Sequence, residues 1–304
     1  MGWPGKPGTS AGNNGVDAGR SAPEHKAPEK KGPAMITKAP KTTDLLITEP
    51  FEEYRQKAGT HLSSHALGDF RKCPLLYWKK KQGLIPDEDR PAFVVGRATH
   101  KLILEGQDRF AEEYVVGGPI NKKTGKPYGA QTKAYAEWAA EQDKAVITTD
   151  QFELIGRMAD GVRANQVACE LLADGVAEGV LRGEYCGLPA QARLDWLNAT
   201  RGVIDLKTAD NLDYFTVDAR RYGYVYQLAF YAAVLHVIAG EKLPAWMIAV
   251  EKQEPYRCGV WRIDDSILAH ARKENEAAIE RLKRCTATDD WPTGFESPLV
   301  IDSI

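Results

Sequence analysis

Two short apolar runs joined by a turn constrain this chain more than any other segment. The first reads Ala192-Arg193-Leu194-Asp195-Trp196-Leu197, and the second reads Gly202-Val203-Ile204-Asp205-Leu206-Lys207-Thr208, with Asn198 to Arg201 between them. Both runs look like strands, and the polar link ending in glycine suits a hairpin. Setting Leu197 opposite Val203 puts Asp195 opposite Asp205 on one face. Lys207, two residues on, shares that face, and the same register sets Arg193 opposite Lys207. Two facing carboxylates in water-averse strands repel unless a cation sits between them. Hard oxygen ligands suit magnesium or manganese. An amine beside such an ion is placed to orient a nucleophilic water or to stabilise charge on a phosphorane. A D-x-K triplet alone arises about once by chance in a chain this long, so the weight rests on the second aspartate in register.

The rest of the pattern gives the hairpin a setting. Residues 176–185, 188–197 and 202–207 look like three consecutive strands. A helix over 222–239, strands at 244–252 and 257–263, and a charged amphipathic helix over 265–284 follow. Upstream, Ser63 and Ser64 open a helix before Leu67, Phe70 and Leu76, and Lys79-Lys80-Lys81 closes that segment. Residues 93–105 have the apolar content of a buried helix, and 119–129 form a Gly/Lys/Pro loop. Helices are predicted at 130–144 and 150–173, the second with Asp150 and Glu153 at capping-box spacing. Helices first, then a meander, helix, strands and helix imply an α/β (α+β) class, a mixed sheet with helices packed against it. Residues 1–42, rich in Gly, Pro, Ser, Lys and Ala, are expected to be a disordered tail. Residues 43–304 then form one domain: a helical entry at 60–173, a sheet core at 174–264, and a C-terminal helix and tail at 265–304.

Several function classes are excluded. The 304 residues carry a net charge of −2, so a polyanion would have to be held by local patches or by metal. No run approaches the roughly 20 apolar residues of a membrane span. Leu228 to Ala239 is shorter and contains His236. The N-terminus lacks the apolar core of a signal peptide, and a cytosolic location is expected. The five cysteines are widely spaced with no C-x-x-C, which disfavours disulfide scaffolds, zinc knuckles and iron–sulfur clusters. They are expected to be small buried hydrophobes.

Two further motifs flank the hairpin. Gly96-Arg97-Ala98-Thr99-His100 puts His100 one helical turn after a glycine that would admit a neighbouring backbone. Alone, such a histidine is usually a satisfied core or boundary residue. Gln227-Leu228-Ala229-Phe230-Tyr231 sets Gln227 and Tyr231 four apart, where both can enter one cleft, though taken alone a helix boundary in an aromatic-rich segment (Tyr222, Tyr224, Tyr226) explains them better.

In order, G-x-x-x-H, R-x-D, D-x-K-T and Q-x-x-x-Y resemble the RecB-like nucleases of the PD-(D/E)XK superfamily. The chain is most similar to their RecE (exonuclease VIII) branch of phages and prophages. Supporting residues are Leu62-Ser63-Ser64, Pro74-Leu75, Phe215, Tyr222 to Tyr231, Ala249-Val250-Glu251-Lys252 and Pro255-Tyr256, and the resemblance covers about 60 to 265. It implies a restriction-endonuclease-like core. His100, Asp195 and Asp205 would be metal ligands, the Leu206 carbonyl a fourth, and Lys207 the catalytic lysine. Glu178 would be an acidic group supporting the metal site. Gln227 and Tyr231 would position DNA or the active-site loop, with Arg193 facing the same cleft. Lys79, Lys80 and Lys81, with Lys122, Lys123 and Lys126, are candidate phosphate contacts; a solvated helix end is the plainer account of the first three.

The resemblance also implies an activity: magnesium-dependent hydrolysis of duplex DNA from 5′ ends, Mn2+ substituting. This would leave 3′ single strands for a RecT-type single-strand annealing protein. It implies a ring-like homo-oligomer, whose closure around DNA would offset the near-zero charge. An endonuclease or single-strand nuclease on the same core, and a silent DNA-binding or assembly module, are the competing readings. The complete set of His100, Asp195, Asp205 and Lys207 argues against the silent one.

Overall fold

The computed structural model describes residues 42–86, 91–298 and 300. The expected tail, but for Thr42, lies outside the described residues. Thr42 itself is buried in a short helical turn, its hydroxyl donating to Glu241.

The first half is helical. It comprises α1 (Phe51–Gln56), α2 (Ser64–Lys72), α3 (Pro74–Lys81), α4 (Pro91–His100) and α5 (Gly106–Glu113). Ser63 caps α2, its hydroxyl accepting from the Ala66 amide at 3.2 Å. The buried helix expected over 93–105 changes character after His100, where Lys101–Glu105 form a π-helical turn. Gly96 also departs from expectation, because nothing lies within 4 Å of where its Cβ would be. A two-stranded parallel ribbon, β1 (Tyr114–Val116) and β2 (Ala145–Ile147), brackets α6 (Lys133–Ala140). The helix predicted over 150–173 is two helices, α7 (Thr149–Arg163) and α8 (Gln166–Leu171). Thr148 and Gln151, not Asp150 and Glu153, form the capping box, since Thr148 is the extended residue whose hydroxyl reaches the Gln151 amide at 3.1 Å. Asn165 breaks the pair: it accepts from the Ala168 amide and donates to the Cys258 carbonyl.

The second half follows the predicted meander. β3 (Gly175–Tyr185), β4 (Leu188–Asn198), β5 (Gly202–Ala209), β6 (Ala245–Glu251) and β7 (Cys258–Arg262) lie side by side in that order. All neighbours are antiparallel except β5 and β6. The crossover between those two carries α9 (Phe215–Arg221) and α10 (Tyr224–Ala239), and α11 (Asp265–Thr288) closes the fold. The single helix expected over 222–239 is thus preceded by a separate one. The break is Gly223, in the left-handed region at φ +74, where side chains other than glycine are strained. Gly202 ends the hairpin for a similar reason, since a Cβ there would come 2.0 Å from the Pro244 carbonyl oxygen.

Each sheet face is apolar and covered by helices. Val203, Ala245, Met247 and Ala249 pack with α2, α10 and α11, whereas Ile204, Leu206, Ile248 and Val250 pack with α4 and α7. This is the predicted α/β architecture, a central mixed sheet flanked by helices. No single helix among the described residues is long and apolar enough to cross a membrane, and α10 is a core helix. All five cysteines are free; Cys169 is exposed and the others are half-buried, so none is the fully buried hydrophobe expected. Phe230 is fully buried on α10, edge-on to Tyr185 at 5.7 Å. Phe230→Ala should lower unfolding free energy by about 3–5 kcal/mol, measurable as a shifted urea midpoint.

Candidate active site

The site begins where β4 loses its neighbours. Leu197 pairs with Val203 as the hairpin register requires, but the β4–β5 ladder ends at Trp196 and Ile204. Asn198 fixes this end: its Oδ1 accepts from the Thr200 and Arg201 amides at 3.0 Å, and its Nδ2 donates to the Ala173 carbonyl at 2.6 Å. Beyond Ile204, β5 continues along β6 and leaves β4. The opening frees the Leu206 amide, and Asp195 Oδ2 accepts from it at 2.9 Å. Asp195 and Asp205 therefore share a fork instead of a ladder position.

The β3–β4 ladder is also interrupted here. Ala177 pairs with Trp196 and Gly179 with Leu194, but Glu178, opposite Asp195, is unpaired. Its φ is +53, an uncommon conformation for a non-glycine residue and one concentrated at functional sites. Strand alternation breaks at the same level, because Leu194 and Leu197, three residues apart, belong to the same core.

His100 comes from the opposite side, at the end of α4 where the π turn begins. π-turns of this kind are frequent at functional sites. Its Nδ1 lies 3.5 Å from Asp195 Oδ2. His100, Glu178 and Asp195 present ligand atoms within 4.8 Å of one another. Asp205 is only 1% exposed. Its Oδ2 is 2.6 Å from Lys207 Nζ, and its Oδ1 is buried without a hydrogen-bond partner.

The electrostatics follow from burial and crowding. Burial, and then the Asp195 charge, push the Asp205 carboxyl up to about 6. Burial raises Asp195 against the pull of Lys207. Burial and Asp195 raise Glu178 against Arg193. Burial and Lys207 lower His100, favouring the neutral ring. Burial would also lower Lys207, but Asp205 and Asp195 more than offset it and hold the ammonium above its usual range. Crowded acids, a neutral imidazole and an orphaned carboxylate oxygen are a donor set that fits a divalent ion.

The remaining predicted residues divide. His100, Glu178, Arg193, Asp195, Gln227 and Tyr231 all line one cleft of about 650 Å³, and Gln227 donates to the Tyr231 hydroxyl at 2.7 Å. Arg193 enters the cleft as expected but bonds Glu178 at 2.6 Å and the Glu49 carbonyl at 3.2 Å. Lys79, Lys80 and Lys81 occupy the last turn of α3 and do not line this cleft. Lys80 pairs with Asp69 at 2.8 Å, and Lys81 lies over the Tyr77 ring. Sequence reasoning missed Phe51, Tyr54, Arg97 and Lys101, which also line the cleft, and Tyr224, whose ring lies 4.9 Å from Lys207 Nζ. Spacing could have found two of these: Arg97 is three residues before His100, and Tyr224 three before Gln227, each on one helical face. Phe51 and Tyr54 arrive on a short helix with no such signal.

Residues 63–298 match the family described as PDDEXK-like domain of unknown function (DUF3799). The chain belongs to that family. This PDDEXK-like chain also resembles a solved structure described as "Putative exonuclease" from Eubacterium rectale. The two share 17% identity and a TM-score of 0.60, over 85% of this chain and 96% of the other. A further structure, LHK-Exo in complex with dAMP, aligns at 13% identity and a TM-score of 0.30 over 79% of this chain and 100% of that one; so low a score supports no argument. No curated protein sequence matches the chain. The fold is therefore that of the PD-(D/E)XK nucleases, and the forked hairpin lies inside the matched segment.

The raised Asp205 carboxyl has a consequence for stability. Its folded value of about 6 exceeds the ordinary 3.8, so between these values the folded protein holds a proton that the unfolded chain has released. Stability then falls as pH rises through that window, by up to about 3 kcal/mol from this group. Denaturant titrations in EDTA should show the fall. Asp205→Asn should flatten it, and Mg2+ should restore stability above pH 6 in the unmutated protein, because metal displaces the proton.

Proposed function

We propose that this chain is a magnesium-dependent exodeoxyribonuclease that hydrolyses duplex DNA 5′→3′ and leaves 3′ single strands for phage-type homologous recombination. The observation that carries the reading is the convergence, on a PD-(D/E)XK fold, of His100, Glu178 and Asp195 with the buried Asp205–Lys207 pair. No apolar packing or solvated hairpin face calls for three acids, a histidine and a lysine in one opened ladder.

His100, Asp195, Asp205 and the Leu206 carbonyl are assigned as metal ligands, with Glu178 beside them. Magnesium, or manganese in its place, supplies a Lewis acid and neutralises the clustered carboxylates. The lowered proton affinity of His100 keeps a ring nitrogen free to coordinate at neutral pH. Lys207 stays charged and offers its ammonium to the negative charge that builds on the attacked phosphate. Arg193 orients Glu178 and extends positive charge into the cleft. The Gln227–Tyr231 pair presents amide and hydroxyl groups that position the strand.

Polarity, a ring-like homo-oligomer, a RecT-type annealing partner and work in a bacterial host's cytoplasm complete the proposal. Their support is the resemblance to the RecE branch. A net charge of −2 gives weak long-range attraction to DNA, a deficit that enclosing a duplex end would offset.

End-labelled duplex digestion tests the reading. Mononucleotides should be released from 5′ ends with Mg2+ and not with EDTA, and covalently closed circles should stay intact. Asp205→Ala and Lys207→Ala should each reduce the rate by about a thousandfold. Full activity in Asp205→Ala would remove the metal assignment, and nicked circles would move the reading to an endonuclease.

A further inference from the structure

A second cleft adjoins the first, and its lining differs in kind. It has a volume of about 670 Å³ and is bounded by α2, the α9–α10 turn and α11. Lys72, Arg220, Arg221 and Arg281 line it, and none of them forms an ion pair among the described residues. Two acids line the cleft as well, Glu274 and Asp69, the second already paired with Lys80. In a chain of net charge −2, such a cluster is a local basic site and not part of a general field.

Aromatic rings interleave with these charges. Tyr222 is 55% exposed and stacks on Tyr224 with ring centres 5.8 Å apart. The Arg221 guanidinium lies 5.6 Å from the Tyr222 ring centre. Arg71 is held in place by Asn275 and sits 3.8 Å over the Tyr226 ring. Gly223, whose φ of +74 disfavours any other residue, sets the turn between Tyr222 and Tyr224.

The two clefts are neighbours that share lining residues. Ser64, His65 and Gln227 line both, and Tyr224 joins the Tyr222 stack to Lys207. We infer that this cleft binds single-stranded DNA leading to or from the catalytic cleft, with Tyr222 as a stacking platform for an unpaired base and Arg220 and Arg221 on the phosphates. An exposed ring can take the face of an unpaired base, whereas bases within a duplex are already stacked on their neighbours. The inference deepens the nuclease reading and rests on it for the identity of the polymer.

The test reads binding and not turnover. Anisotropy of a labelled oligothymidylate is measured in EDTA against the full chain, with a closed-circular duplex and polyglutamate as competitors. Tyr222→Ala should weaken single-strand binding about tenfold, and Tyr222→Trp should keep it. Replacing Arg220 and Arg221 together by Ala should lower the salt slope by about 1.4, two phosphate contacts' worth on a single strand. Unchanged affinity in Tyr222→Ala would overturn the inference. So would an equal loss for the closed duplex, or polyglutamate binding with the same Tyr222 dependence. If the unmutated protein cuts nothing but binding depends on Tyr222, the cleft stands without the nuclease. If it cuts DNA and Tyr222→Ala binds normally, the nuclease stands without the cleft.

Discussion

One hydrogen bond organises the site: the Leu206 amide donating to Asp195 Oδ2. Between paired strands that amide would be met by a backbone carbonyl. Here β4 and β5 part after Trp196 and Ile204, and a side-chain carboxylate takes the carbonyl's place. A buried amide without a partner would cost about 1–3 kcal/mol, so the fork is tolerable only because Asp195 closes it. The same bond fixes one oxygen of Asp195 beside His100. It also leaves β5 free to run along β6 and bring Asp205 and Lys207 in behind. Ladder, fork and ligand cluster are therefore one arrangement.

The metal-free cluster is at odds with itself. Three acids share a volume that burial has removed from water, and each holds its proton more tightly than usual. Lys207 is the counter-charge inside the fork, and it reaches Asp205 on one side only. Such a site trades stability for readiness, as sites that hold a cation commonly do. Glu49 shows the contrast: Arg182 and then Lys57 bind it, overcoming its burial, and it falls to about 2. A carboxylate built for structure is paired to completion, whereas Asp205 is not.

The strands were legible because both sheet faces are buried and the alternation of β5 and β6 is clean. The hairpin register was legible because Asn198 and Gly202 leave the turn few options. The breaks were harder to see. Asn165 divides a segment whose apolar pattern runs straight through, and it acts through a partner far away in sequence, the Cys258 carbonyl; the separate helix before Gly223 carries too few apolar residues to announce itself. The π turn after His100 has no sequence signature. Gly96 supplies no close approach, so the glycine in G-x-x-x-H served as a marker and not as a mechanism. Lys79 to Lys81 stood out in sequence as a charge run, yet the cations that line the second cleft lie on α2, α9 and α11, scattered along the chain and gathered only by folding.

The left-handed backbone of Glu178 sets two demands that no residue meets cheaply together. Glycine and asparagine enter that conformation at little cost, but one has no carboxylate and the other is neutral and a methylene shorter. A long acid reaches Arg193 and His100 but strains the chain. Homologues that keep the chemistry should thus keep an acid where local conformation alone favours glycine. Homologues that have lost it should drift toward glycine or asparagine and gain stability as they do so. The residue at this one position then works as a fossil record of whether a given lineage still cuts.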